Sequence, residues 1–425
     1  MKIISVCAAL ALLAGCASDT PETSANSAAA AAQATPALRT GIWRAVANRE
    51  GTEVPFNLEV TKTTDGYAIT YLNGPERMPV EQVVFDPASG RLELNFPSYS
   101  AGLVAQVDGE SMTGEISLAR KSRTIELGFT ADYGQDYRFF PEPAADYEDF
   151  GGRWQVEITV PEFNFTQPAV AIFNQTDGVL SGTVNTQVGD YRFLHGEVRG
   201  KQLYLSTFDG SGTQLWTAEQ QPDGSLRGRF DSVTYGTAEW TAVRNADFKL
   251  EDPTKLTVMK EGYDTLEFSL PDLDGNIVSL SDERFADKVV IVVLGGSWCP
   301  SCHDEAAFMV PFEAAYAGQD LEVVYIMFEY SDDFSEAEPQ LRAFQQRYGI
   351  SHPILFAGDS TRTSRGDKLP MLNDIMAFPT TIFIDRSGEV RRIHTAFPGP
   401  ATGQEHEDYK REFRSFVDML LAENG

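Results

Sequence analysis

Between residues 38 and 247, apolar and polar side chains alternate in short runs broken by Gly, Asn and Asp, the period-2 pattern of half-buried strands joined by hairpins. No stretch there carries the 3.6-residue apolar period of a useful helix. The pattern also repeats itself: Gly41-Ile42-Trp43 returns as Gly152-Arg153-Trp154, and Leu92-Glu93-Leu94 as Leu203-Tyr204-Leu205, at one common spacing. The turns Asp65-Gly66 and Asp108-Gly109 have counterparts in Asp177-Gly178 and Asp223-Gly224. Two copies of one antiparallel all-β unit are therefore predicted, over 38–145 and 146–247. Each is expected to form a small barrel or sandwich, with Trp43 or Trp154 near its first strand.

From about 248 the pattern becomes mixed. Phe268 to Asn276 reads as a strand running into a hairpin turn, and Val289 to Leu294 is a continuous β-branched run suited to a strand buried on both faces. A helix starting near Cys299 follows, then a buried strand at Leu321 to Phe328 and an amphipathic helix at Ala337 to Tyr348. A strand at Thr380 to Asp385 turns at Arg386-Ser387-Gly388 into another at Glu389 to His394. A last helix places Tyr409, Phe413, Phe416 and Leu420 on one face. This is the thioredoxin order of elements. The polar stretch Asp359 to Leu369 is expected to be an exposed loop or a lid. The predicted fold class is thus multidomain: two repeated all-β units, then an α/β thioredoxin-like domain over 248–425.

The first sixteen residues read as a targeting signal, with Lys2 as the positive end and Ile3 to Ala14 as an apolar segment too short to span a bilayer. Its ending, Leu13-Ala14-Gly15-Cys16, resembles the lipobox of bacterial lipoproteins, which implies cleavage before Cys16 and lipidation of its sulfur. Such an anchor holds a protein to a membrane without a spanning helix. Ala17 after that cysteine resembles the sorting signal for the outer membrane. Residues 17–37, almost all Ala, Ser, Thr, Pro and Asn, have no apolar period and are expected to be a flexible tether reaching on the order of 25 Å.

The chain has 425 residues, with 34 Lys+Arg against 62 Asp+Glu and a formal charge of -28. Without a basic run to offset that charge, nucleic acid is excluded as a partner by phosphate repulsion. Of four cysteines, Cys7 leaves with the signal and Cys16 is consumed by lipid. Cys299 and Cys302 remain. A pair this close closes too small a loop to serve as a staple, so its use is chemical.

The pair lies in Trp298-Cys299-Pro300-Ser301-Cys302, directly after a buried strand and at the start of a helix. Unpaired backbone N–H groups and the positive end of the helix dipole favour thiolate over thiol there. Cys299 is the expected nucleophile, and Cys302 the thiol that resolves the mixed disulfide. Phe378-Pro379-Thr380 stands where thioredoxin folds carry the cis-proline loop that faces the redox pair. Trp298, Pro300, Phe378 and Thr380 are the expected substrate contacts.

Residues 262–425 resemble the TlpA/ResA-like extracytoplasmic thiol-disulfide oxidoreductases. The shared features are the Leu270-Pro271-Asp272-Leu273-Asp274-Gly275 entry hairpin, the Trp-Cys-Pro-x-Cys motif, the proline loop and the covering helix. The resemblance implies a buried acidic residue at Glu305 that exchanges protons with Cys302, although an exposed first-turn glutamate is the alternative reading. Val293 stands where cytosolic thioredoxins place an aspartate. The resemblance also implies exported thiol or disulfide proteins as partners, an inner-membrane thiol electron donor, the reducing direction, and a periplasmic, lipid-anchored location. No cofactor or metal is implied.

Two other chemistries fit part of the motif. Cys299-Pro300-Ser301-Cys302-His303 also matches c-type haem attachment, although that use requires neither the preceding strand and Trp nor the proline loop. Peroxiredoxins need Thr or Ser where Gly296 stands. His303, His352 and His394 have no ligand spacing that links them to the pair. The β repeats carry no nucleophile arrangement, and are expected to be either a client-recruiting module or a scaffold.

Overall fold

The structure is a computed structural model; it describes residues 37–120, 123–234 and 236–423. The expected signal segment, the expected lipidation site Cys16 and almost all of the expected tether lie outside the described residues.

The two β repeats fold alike. In the first, nine antiparallel strands run as a meander from Gly41–Arg49 to Arg123–Tyr133, and these first and last strands pair with each other. The sheet remains open between Glu76–Pro79 and Gln82–Asp86. In the second, Phe165–Thr176 also pairs with Val179–Thr186, which closes eight strands into a barrel with the short Gly189–Asp190 strand on its rim. Closure removes the unpaired edges that an open sheet exposes.

The Gly-x-Trp copies open the first strand of each unit, and both indoles are fully buried. The indole N–H of each donates to the carbonyl four residues earlier, Trp43 to Arg39 at 3.1 Å and Trp154 to Phe150 at 2.8 Å. A buried indole needs such a partner for its polar end. The internal repeat in the sequence is therefore a repeat of packing and hydrogen bonding.

The C-terminal domain begins with the hairpin Ser269–Pro271 and Ile277–Ser279. Its sheet has five strands: β1 (Val289–Gly295), β2 (Leu321–Glu329), β3 (Ile354–Asp359), β4 (Thr380–Ile384) and β5 (Val390–Thr395), in the order β3-β2-β1-β4-β5. Strands β1, β2 and β3 are parallel; β4 and β5 are antiparallel to their neighbours. All seven residues of β1 are buried, as its apolar run predicts. Helices α1 (Pro300–Ala315), α2 (Phe334–Tyr348) and α4 (Gln404–Ala422) complete the thioredoxin-like layers.

Two elements depart from the sequence reading. The edge strand β3 was not anticipated, and Asp359 to Leu369 is not a plain loop. It contains helix α3 (Arg362–Lys368), capped by the Thr361 hydroxyl on the Ser364 amide. With no apolar period, this helix is held by its cap and by Arg365, which donates to the Ile375 carbonyl at 2.6 Å.

The three domains meet around the start of α1. Tyr99 of the first repeat packs over the His303 ring at 4.0 Å between centroids, and Glu81 pairs with Arg347 of α2 at 2.7 Å. Arg192 of the second repeat pairs with Glu76 of the first at 2.6 Å and with Asp304 of α1 at 3.1 Å, all three side chains being largely buried.

Candidate active site

Helix α1 starts at the redox pair. Pro300 occupies the first turn, where its missing N–H costs nothing, and Cys299 is the cap residue. The Cys302 amide donates to the Cys299 sulfur at 3.3 Å. Both cysteines are free thiols. Burial pushes the Cys302 thiol well up, and the neighbouring Cys299 sulfur and Glu305 carboxylate add to the effect. Cys302 therefore holds its proton until a base removes it.

The proline loop closes the other side. The Phe378–Pro379 bond is cis, and the Cys299 thiol donates to the Phe378 carbonyl at 3.4 Å. Trp298 is half-buried, its N–H donating to the Phe328 carbonyl at 2.9 Å and its ring stacked on Tyr330 at 5.0 Å. Thr380 is differently placed from the expectation that it contacts substrate. It is fully buried and its hydroxyl donates to the Ala377 carbonyl at 2.8 Å, so its side chain faces inward.

Glu305 is buried, not exposed, one turn along α1 from Cys302. Its Oε1 accepts from the Thr381 hydroxyl at 2.6 Å, while the buried Oε2 has no hydrogen-bond partner. Burial pushes its pKa up to about 8, against the opposing Thr381 bond. A carboxyl poised near neutrality beside a buried thiol is equipped to carry protons.

Three features were not found from the sequence. Thr381 adjoins the proline loop but shows its role only through Glu305. Glu329, at the end of β2, is a second buried carboxyl, with Oε1 accepting from the Ser297 amide at 2.9 Å and Oε2 from its hydroxyl at 2.7 Å; burial raises its pKa to about 7. It anchors the turn that leads into the cysteines. A charged residue directly after the apolar run Val323 to Phe328 was the available signal. Arg192, the third, donates to the Pro300 carbonyl at 3.3 Å from more than a hundred residues away in sequence.

The histidines are each engaged separately. His303 is buried, its Nδ1 bonded to the Tyr348 hydroxyl at 2.9 Å and its Nε2 to the Ser297 carbonyl at 2.7 Å. His352 bonds Glu313 at 2.8 Å, and His394 the Ala396 carbonyl at 3.0 Å.

A dithiol at a helix N-terminus, faced by a cis-proline loop on a five-stranded thioredoxin-like sheet, defines a thiol-disulfide oxidoreductase of the thioredoxin fold. The Redoxin family model matches residues 260–411. Over 151 residues the chain is 31% identical to the thioredoxin-like protein YneN of Bacillus subtilis (strain 168), covering 35% of this chain and 78% of that protein. It is 29% identical over 142 residues to the thiol-disulfide oxidoreductase ResA of Geobacillus kaustophilus, covering 33% and 73%. A solved thiol:disulfide interchange protein of the thioredoxin family from Chlorobium tepidum TLS is 22% identical, with a TM-score of 0.30, covering 39% of this chain and 100% of that one. The chain belongs to the ResA-like family of thioredoxin-fold thiol-disulfide oxidoreductases.

Proposed function

We propose that this oxidoreductase is an exported, membrane-anchored reductase of protein disulfides. The observation that carries the reading is the asymmetry of the pair: Cys299 has an amide on its sulfur, and Cys302 is a buried thiol with a poised carboxyl one turn away. The Cys299 thiolate attacks one sulfur of the substrate disulfide and expels the other as a thiolate, which takes up a proton. Glu305 accepts the Cys302 proton. The Cys302 sulfur then attacks Cys299, releasing the second substrate thiol and leaving a Cys299–Cys302 disulfide. Two electrons from a thiol donor restore the pair. Trp298, Pro300, Phe378 and Pro379 border the point of attack, and Thr380 contributes through its backbone.

The lipobox-like Leu13-Ala14-Gly15-Cys16 supports anchoring through Cys16, and no helix among the described residues is long and apolar enough to cross a membrane. A periplasmic face suits both the signal and the pair. Ala17 favours the outer membrane, whereas an inner-membrane thiol donor favours the opposite one. The units 38–145, 146–247 and 248–425 are taken as the working domains, with the β repeats as the part that selects the client. Haem attachment is disfavoured by His303, whose two ring nitrogens are both engaged.

Replacing Cys302 with Ser is expected to trap mixed disulfides on Cys299, and the wild-type chain to reduce insulin. Absence of both results would reject the redox assignment.

A further inference from the structure

The second β repeat is built into the redox site. Cys299 is only 5% exposed, scarcely more than Cys302 at 3%. The rim of the closed barrel stands over this end of α1. Its hairpin Gln187–Arg192 lies over Ser301 so closely that a Cβ on Gly189 would stand 3.1 Å from the Ser301 hydroxyl oxygen. What remains above the sulfur is a cavity of about 360 Å³, bounded by Gly189, Tyr191 and Gln214 of the barrel and by Trp298, Cys299 and Phe378.

This cover is bolted down. Arg192 reaches both Asp304 and the Pro300 carbonyl, and the buried Asp190 carboxylate accepts from the Gly399 amide at 2.7 Å. Swinging the hairpin away would strand these groups without partners, which is costly. The barrel rim is therefore a fixed wall.

The size of the cavity excludes a folded surface. It lies at the low end of small-molecule sites, whereas a folded partner needs about 800 Å² of matching surface with the sulfur at its face. Two of the side chains that line the cavity are large, apolar and still exposed, Val188 on the barrel rim at 42% and Met376 before the proline loop at 41%. A small polar disulfide offers these two side chains no apolar partner. A polypeptide with apolar side chains beside its cysteine would cover them.

Resting on the redox reading above, we infer that the barrel rim and the proline loop form one walled cleft that takes a disulfide carried on an extended polypeptide segment with apolar residues beside its cysteine. In the transfer, the Cys299 thiolate displaces one sulfur of that disulfide, Cys302 displaces the segment from Cys299, and the dithiol is oxidised as the substrate becomes two thiols.

The test is single-turnover oxidation of the pre-reduced full chain by two substrates. One is a linear peptide whose cysteine, flanked by Leu and Val, is disulfide-bonded to glutathione; the other is 2-hydroxyethyl disulfide. Val188→Asp and Met376→Asp, both at exposed positions, are each expected to lower the ratio of peptide rate to small-disulfide rate about tenfold. An unchanged ratio in both variants would overturn the walled cleft while leaving the redox reading intact. Failure of the wild-type chain to react with either substrate would overturn the redox reading, and this inference with it.

Discussion

The Cys299 thiol and the Phe378 carbonyl meet at 3.4 Å across 79 residues of sequence, which joins the start of α1 to the proline loop. On the far side of the pair, α1 carries Cys302 and then Glu305 toward Thr381 on β4. The nucleophile and the proton-handling groups are thus fixed to one sheet by separate hydrogen bonds.

Glu305 sets a pH dependence. Its folded-state pKa of about 8 lies above its ordinary value of 4.5. The folded protein therefore retains a proton that the unfolded chain has lost between those values. Stability from this group is greatest below about pH 4.5 and declines as pH rises toward 8, by about 5 kcal/mol at most. Glu305→Gln should remove that decline from urea-unfolding midpoints measured between pH 5 and 9. It should also slow resolution of the Cys299 mixed disulfide and abolish the rise in that rate near pH 8. A variant with the wild-type pH profile would remove Glu305 from proton transfer.

The buried Arg192 joins charges from three domains. Arg192→Met leaves Glu76 and Asp304 without their cation, and should cost about 3–5 kcal/mol at pH 8. The loss should be smaller at pH 6, because burial already pushes Asp304 up to about 7 and protonation there removes one stranded charge. Urea unfolding at the two pH values measures this, and equal losses would contradict it.

His303 is a packing residue in this account. Burial holds its pKa well below the ordinary range, so the ring is neutral, donating from Nε2 to the Ser297 carbonyl and accepting at Nδ1 from Tyr348. His303→Ala opens a cavity and strands both partners, with an expected loss of about 3–5 kcal/mol by urea unfolding. The purified wild-type chain should show no covalent haem absorption band. A haem band that disappears in the variant would restore the cytochrome reading.

The parts legible in the sequence were those whose signal is local. Val289 to Leu294 announces a strand buried on both faces, the Gly-x-Trp copies announce the repeat, and Cys299 to Cys302 announces the pair. Strand β3 escaped because Ile354–Asp359 is short and contains Gly358, and α3 because none of its residues is buried. Barrel closure depends on pairing Phe165–Thr176 with Val179–Thr186, which the hairpin pattern permits but does not require. Thr381, Glu329 and Arg192 entered the site through tertiary contacts, and a single sequence gives no separation over which to look for them.

The central claim, that Cys299 and Cys302 form a redox couple poised for reduction, is tested most directly by titrating the pair against glutathione buffers. The account predicts a reversible two-electron transition that needs both cysteines, with a potential near that of thioredoxin, about -270 mV. A potential near -120 mV, the range of a strong oxidant, or no titratable disulfide at all would contradict it.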